Sequence, residues 1–164
     1  RTPPSDAFQG IALADLVEKL LGATRFATAS SDDSYGRFGI LAFRTEAAKR
    51  NLRMLTSTEF SNGQTDLSAN VATLLQSGAL VVVLFCQTLD AARFINATHQ
   101  AGGENITFVG SEAVTNAVSS MSSDQVARLR GFAGLTLAAG TGNEYVSFKA
   151  RLAAFHNTVM GDGW

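Results

Sequence analysis

Leu80-Val81-Val82-Val83-Leu84-Phe85-Cys86-Gln87 is the stretch that decides how this chain folds. The run is apolar without a break and rich in β-branched residues, and polar Gln87 ends it. A strand with one face in water alternates between apolar and polar residues. A strand with no polar position is covered on both faces, which is the pattern of a central strand in a parallel sheet. Such a strand requires helices above and below it.

The flanking sequence supplies both. Ser5-Asp6 with Gln9 three residues on reads as a helix start with an Asp cap, and Ile11, Leu13, Leu16, Val17 and Leu20 follow at helical spacing. Residues 25–30 read as a first strand. Ser31-Asp32-Asp33-Ser34-Tyr35-Gly36 is a loop, and Phe38, Leu41, Ala42 and Ala48 are expected to line a second helix. Residues 52–60 alternate like a half-buried strand. Leu67, Val71, Leu74 and Leu75 mark a third helix. The fourth is expected over residues 89–100, with Phe94, Ile95 and Thr98 on one face. Residues 105–109 read as the next strand, 114–125 as polar and irregular, and 131–137 as a last strand. Tyr145, Phe148, Leu152 and Phe155 form a final helical stripe. This alternation predicts an α/β fold with a doubly wound parallel sheet and helices on both faces.

Composition bounds the function. The 164 residues are 46% hydrophobic and 16% charged with a net charge of −1, enough for one domain with a real core. No basic stripe points to nucleic acid. The apolar runs are too short to span a bilayer. The chain opens at Arg1 rather than Met, which suggests a mature, trimmed or partial product. Cys86 is the single cysteine, so no internal disulfide forms, and its place at the end of an apolar run suits a buried thiol.

Enzyme motifs are missing from the sequence. Gly110-Ser111-Glu112 continues with Ala, so there is no nucleophile elbow. Neither a phosphate-binding loop nor a dinucleotide fingerprint follows the first strand, so no cofactor is expected. His99 and His156 have no carboxylate or cysteine at ligand spacing and read as surface residues, so no metal is expected either.

What remains is the edge of the sheet. In a parallel sheet the carboxyl ends of the strands share one rim, where ligands bind. Ser31 and Asp32, with Tyr35 beyond them, follow the first strand; Gln87 follows the central strand; Ser111 and Glu112 follow the fourth. A phenol and a carboxylate converging there suit an ammonium group and not a phosphate. The alternative is that Tyr35 merely caps a helix and Glu112 is merely solvated, because rim loops are polar in any case.

Four segments carry a family resemblance: Arg1-Thr2-Pro3-Pro4-Ser5-Asp6, Ser31-Asp32-Asp33-Ser34-Tyr35-Gly36-Arg37-Phe38-Gly39, the central strand, and Phe108-Val109-Gly110-Ser111-Glu112. In this order they resemble the second lobe of the type I periplasmic-binding-protein (Venus flytrap) fold. The likeness is to the receptor family ligand-binding regions of metabotropic glutamate and natriuretic-peptide receptors, with bacterial branched-chain amino-acid binding proteins as more distant kin. The resemblance implies an extracellular or periplasmic ligand-sensing domain, not an enzyme, that closes on a small, amino-acid-like ligand. It implies that Asp6, Tyr35 and Glu112 hold the ligand's amino group. It also implies partners: a first lobe missing from residues 1–164, a membrane-embedded signalling portion and a homodimer mate. The second function class is a lobe of the same fold without a ligand, acting as a docking or dimerisation module; apolar surface exposed on helix one or four would favour it. Two sequons, Asn96-Ala97-Thr98 and Asn105-Ile106-Thr107, are candidate glycan acceptors, with Asn105 the poorer because a strand is expected to begin there.

Overall fold

A computed structural model describes residues 6–119, 121–123 and 132–135. Within them five strands form one all-parallel sheet in the order β2-β1-β3-β4-β5, where β1 is Arg25–Ser31, β2 Arg53–Phe60, β3 Val81–Phe85, β4 Thr107–Gly110 and β5 Phe132–Gly134. The helices are α1 (Asp6–Asp15), α2 (Ser34–Lys49), α3 (Ser68–Gln76), α4 (Thr88–Gln100) and α5 (Glu112–Ser119). The order steps back from β1 to β2 and then forward through β3, so the direction in which strands are added reverses between β1 and β3, while all five strands stay parallel.

The central strand divides between two cores as its composition demands. Val82 and Leu84 pack with Val71, Leu74, Phe94 and Phe108 on one face. Val81, Val83 and Phe85 pack with Leu13, Val17, Phe43 and Val109 on the other. Each fully buried side chain of this size stabilises the fold by about 1.5–3 kcal/mol, so neither layer is dispensable. Stacked Phe60 and Phe94, with centroids 5.2 Å apart, tie β2 to α4 on the first face. The edge-to-face pair Phe26 and Phe43, at 5.0 Å, ties β1 to α2 on the second.

The helix α1 runs into a wider π-helical turn, Leu16–Leu20, which keeps Leu16 and Val17 both buried. Arg50, just past α2, bridges Asp15, Glu18 at 3.1 Å and Glu46 at 3.0 Å, and so locks that turn to α2. Burial by itself would favour losing the guanidinium proton, but these carboxylates reverse the effect and raise the Arg50 pKa.

Four expectations need correction. First, α2 does not bury Phe38 and Leu41, which are 61% and 58% exposed; Gly36, Gly39, Ile40, Phe43 and Ala47 form its inner stripe. The cause is the glycine pair. A Cβ at Gly39 would collide with the Phe85 ring, and one at Gly36 with the Ser31 carbonyl. With no side chain at either position, α2 lies directly on the strand ends and its larger residues turn outward. Second, the stretch read as irregular after residue 114 begins as α5, whose Val114 and Ala117 are fully buried. Its Thr, Asn and Ser residues hid a two-position apolar stripe. Third, His99 is not a surface residue: it is buried with its ring edge toward Phe108, centroids 6.1 Å apart. Fourth, β4 begins at Thr107, so Asn105 lies in an exposed turn ahead of it. The expected final stripe over 145–155, the histidine at 156 and the lead-in at residues 1–5 lie outside the described residues.

Candidate functional site

The rim forms where the direction of strand addition reverses, because the loop after β1 turns to one face of the sheet and the loop after β3 to the other. Such a reversal opens a crevice at the strand carboxyl ends. Two groups of polar residues line it, and they differ in what their valences are doing.

The first group is built on carboxylates that hold the loops. Asp33 caps α2: its Oδ1 accepts from the Gly36 amide at 2.8 Å and from the Ser31 hydroxyl at 2.8 Å. Its Oδ2 accepts from the Asn62 amide at 2.9 Å, which draws in the loop after β2. Burial alone would raise the Asp33 carboxyl, but the donors from Asn62, Gly36, Ser31 and Tyr35 outweigh it and hold the pKa below the ordinary range. Asp32 accepts from the Ser61 hydroxyl at 2.7 Å. Asp90, buried in the first turn of α4, accepts from the Gly63 amide at 3.1 Å and pairs with Arg93 at 3.1 Å. A shallow hollow of about 360 Å³ opens here, lined by Gly63, Gln87, Thr88, Leu89, Asp90 and Arg93.

The second group spans β1 to β4 across the end of β3. Tyr35, in the first turn of α2, lays its ring edge-on to Phe85 at 5.8 Å and donates its hydroxyl to Ser111 Oγ at 2.9 Å. Ser111 is fully buried, and its carbonyl accepts from the Thr115 amide at 3.0 Å, so it stands as the start of α5. Glu112 is the first residue of α5, where the helix dipole favours a negative charge. Its amide donates to the buried Gln9 side chain of α1 at 3.5 Å. The Glu112 carboxylate is half-buried and has no hydrogen-bonding partner among the described residues. Gln87, exposed at the start of α4, likewise keeps its side-chain amide unpartnered among them.

Of the sequence candidates, the structure bonds Tyr35 to Ser111, the residue before Glu112, and Gln87 follows the neighbouring strand β3. Ser31 and Asp32 share the rim but are engaged with Asp33 and Ser61. Asp6 is the first residue of α1, one turn before Gln9; its side chain lies outside the described residues. Sequence reasoning missed two contributors. Gln9 has only a capping-box signal in the sequence, and its contact with Glu112, 103 positions away, has no local signal. Asp33 was passed over, although an Asp three residues before Gly36 is an N-cap pattern.

Cys86 sits beneath the rim. Burial, with the Asp90 and Asp33 charges adding to it, pushes its thiol pKa far up, so it is a packing residue. Among the described residues no group of His, Cys, Asp and Glu is arranged to hold a metal ion.

The sequence profile of the receptor family ligand binding region matches residues 1–161. The chain belongs to that family. As a receptor-family chain it is 34% identical over 104 residues to a metabotropic glutamate receptor of Drosophila melanogaster, an alignment covering 62% of this chain and 11% of that protein. Among solved structures it is similar to an extracellular ligand-binding receptor from Rhodopseudomonas palustris, with a TM-score of 0.65 and 13% identity over 71% of this chain. A second, from strain HaA2, gives the same TM-score at 15% identity. At such identities the likeness speaks for the fold alone, an α/β fold of the type I periplasmic-binding-protein-like kind. This receptor-family chain spans 33% of the length of each of those structures.

Proposed function

We propose that this chain is the second lobe of a two-lobed extracellular ligand-binding domain, and that its rim holds the ammonium group of a small amino acid. The observation that carries the reading is the pairing of Tyr35 with Ser111. The phenol bonds the residue next to Glu112, whose carboxylate has no partner among the described residues. Gln9 meanwhile occupies the Glu112 amide, which leaves the carboxylate as the open polar group of that residue among the described residues. A cation with several N–H donors matches this surface, and a phosphate does not. The similarity to a metabotropic glutamate receptor supports the same class of ligand. The partner lobe would close over the ligand, bury it between both halves and pass the closed state to a membrane-embedded portion. Among the described residues no helix is long and apolar enough to cross a membrane.

The test is a thermal-shift screen of the two-lobed ectodomain against the standard amino acids, repeated with Glu112→Gln. Stabilisation by one or a few of them is expected. The substitution should weaken that binding by about 1–3 kcal/mol, roughly 5- to 150-fold in Kd, because a charge-assisted bond becomes a neutral one. Unchanged affinity in the variant sinks the role of Glu112.

A second reading has its own observation. Phe8 and Ile11 on α1 and Phe38 and Leu41 on α2 are all exposed, and the two helices meet where Gly10 approaches the Ala42 and Phe43 backbone. An apolar face of this kind suits a docking or dimerisation module. Concentration-dependent sedimentation that Phe38→Ser abolishes, with no response to any amino acid, would favour it.

A further inference from the structure

The two sequons, so alike in sequence, stand in opposite structural settings. Asn96 lies within α4, half-buried. The Thr98 of its triplet is wholly inaccessible and donates its hydroxyl to the Phe94 carbonyl at 2.8 Å. Presenting this triplet in an extended form means unwinding α4 and withdrawing Phe94 and Ile95 from the core.

Asn105 is exposed in the turn before β4. Ile106 is buried and anchors that turn from below, its amide donating to Gly103 at 3.2 Å. Thr107 opens β4 with its amide on the Leu80 carbonyl at 2.8 Å, and its hydroxyl has no partner among the described residues. The triplet therefore presents the acceptor amide and the threonine hydroxyl with no helix to unwind. Leu80, just ahead of the neighbouring strand β3, is 64% exposed at the same end of the sheet, an apolar surface that a first sugar can cover. This end carries the amino termini of β3 and β4, so it is the pole opposite the rim.

We propose that Asn105, and not Asn96, carries an N-linked glycan, at the pole facing away from the ligand crevice. The inference rests on the extracellular reading above, since only a chain that enters the secretory pathway meets the transferase. The step is a substitution without redox change. The Asn105 side-chain nitrogen attacks the anomeric carbon of an oligosaccharide carried on a polyprenyl diphosphate. A C–N bond forms, the C–O bond to the diphosphate breaks, the amide gives up one proton, and the lipid diphosphate leaves.

The test expresses the full chain behind a secretion signal in insect cells and reads both secreted and membrane-retained material by peptide mass spectrometry after peptide N-glycosidase treatment. The expected result is conversion of Asn105 to Asp with one downward step in gel mobility. That step should survive Asn96→Gln and disappear in Asn105→Gln. Thr107→Val, which keeps the β-branched shape, should remove it as well, and Thr107→Ser should keep it. An unmodified Asn105 in chain recovered from the secretory pathway, or a glycan at Asn96 instead, overturns the proposal. Neither result touches the amino-acid reading, which the thermal-shift screen decides separately.

Discussion

The two sides of the rim hold similar residues and use them differently. On the side of β2 and α4, Asp32, Asp33 and Asp90 are each engaged by neighbouring donors. On the side of β4, the Glu112 carboxylate has no partner among the described residues. A carboxylate hydrogen-bonded on both oxygens, as Asp33 is, has little left to offer a ligand, and Asp32 and Asp90 are each held to a neighbouring loop through one oxygen. A carboxylate that is half-buried and uncompensated has most to gain from a cation. The acidic residues of the rim thus divide into those that shape the crevice and one that is open to the proposed binding role. Substitutions on the shaping side should cost stability, and substitutions on the open side should cost affinity.

The largest effect is expected beneath both sides. Phe85 is fully buried, supports the Tyr35 ring and packs where Gly39 admits α2. Phe85→Ala removes the platform and leaves a cavity, a loss of about 3–5 kcal/mol by chemical denaturation. It should also reduce ligand affinity at temperatures where the protein remains folded, because Tyr35 loses its support. A loss below 1 kcal/mol would mean that α2 closes onto the strand ends without the ring.

Asp90→Ala acts on the shaping side. It strips the Gly63 amide and the Arg93 guanidinium of a buried acceptor, and a loss of about 1–3 kcal/mol is expected in the same assay. Amino-acid affinity should stay near that of the unmodified protein. Tyr35→Phe makes the opposite cut. It deletes one neutral hydrogen bond to Ser111, about 0.5–1.5 kcal/mol of stability, and takes a hydroxyl from the proposed ammonium site. Calorimetric titration of both variants sharpens the comparison. If Asp90→Ala lost as much affinity as Tyr35→Phe, the rim would be one cooperative unit and the division would fail.

How much of this was legible in the sequence follows from the range of each interaction. The order of strands and helices from α1 to β4 is written in local periodicity, and the central strand's two-sided burial in its lack of polar positions. The packing of α2 was not legible, because the signal was two glycines and their meaning depends on Phe85 and on the Ser31 carbonyl. The same holds at the site. Tyr35 and Glu112 are readable as residues just past strand ends, since the rim is a consequence of topology. The bond from Tyr35 to Ser111 joins positions 76 apart, and the contact from Gln9 to Glu112 joins positions 103 apart. No spacing rule reaches that far. The engagement of Asp32 by Ser61, 29 positions away, is likewise beyond local spacing, which is why a residue that looks like a rim ligand in sequence turns out to shape the loop.

The smallest expected effect separates shaping from binding by pH. The Asp33 pKa is held low in the fold, although burial opposes this, because Asn62, Gly36, Ser31 and Tyr35 donate to its charged form. A carboxyl with a lower pKa folded than unfolded adds stability that is complete above its ordinary range and drains away as pH falls through the folded value. Asp33→Asn keeps a good helix cap and removes the titration. A turn of the Asn62 side-chain amide can then offer oxygen to the new nitrogen. The unmodified protein should therefore be the more stable near neutral pH, with the gap shrinking on acidification. Asp15, Glu46 and Asp66 are also held low and should keep an acid limb in both proteins, so the diagnostic quantity is the difference between the two curves. A gap that stayed constant from neutral pH to acid would mean that the donors around Asp33 do not select its ionised form. The line between structural and available carboxylates would then have to be drawn on geometry alone.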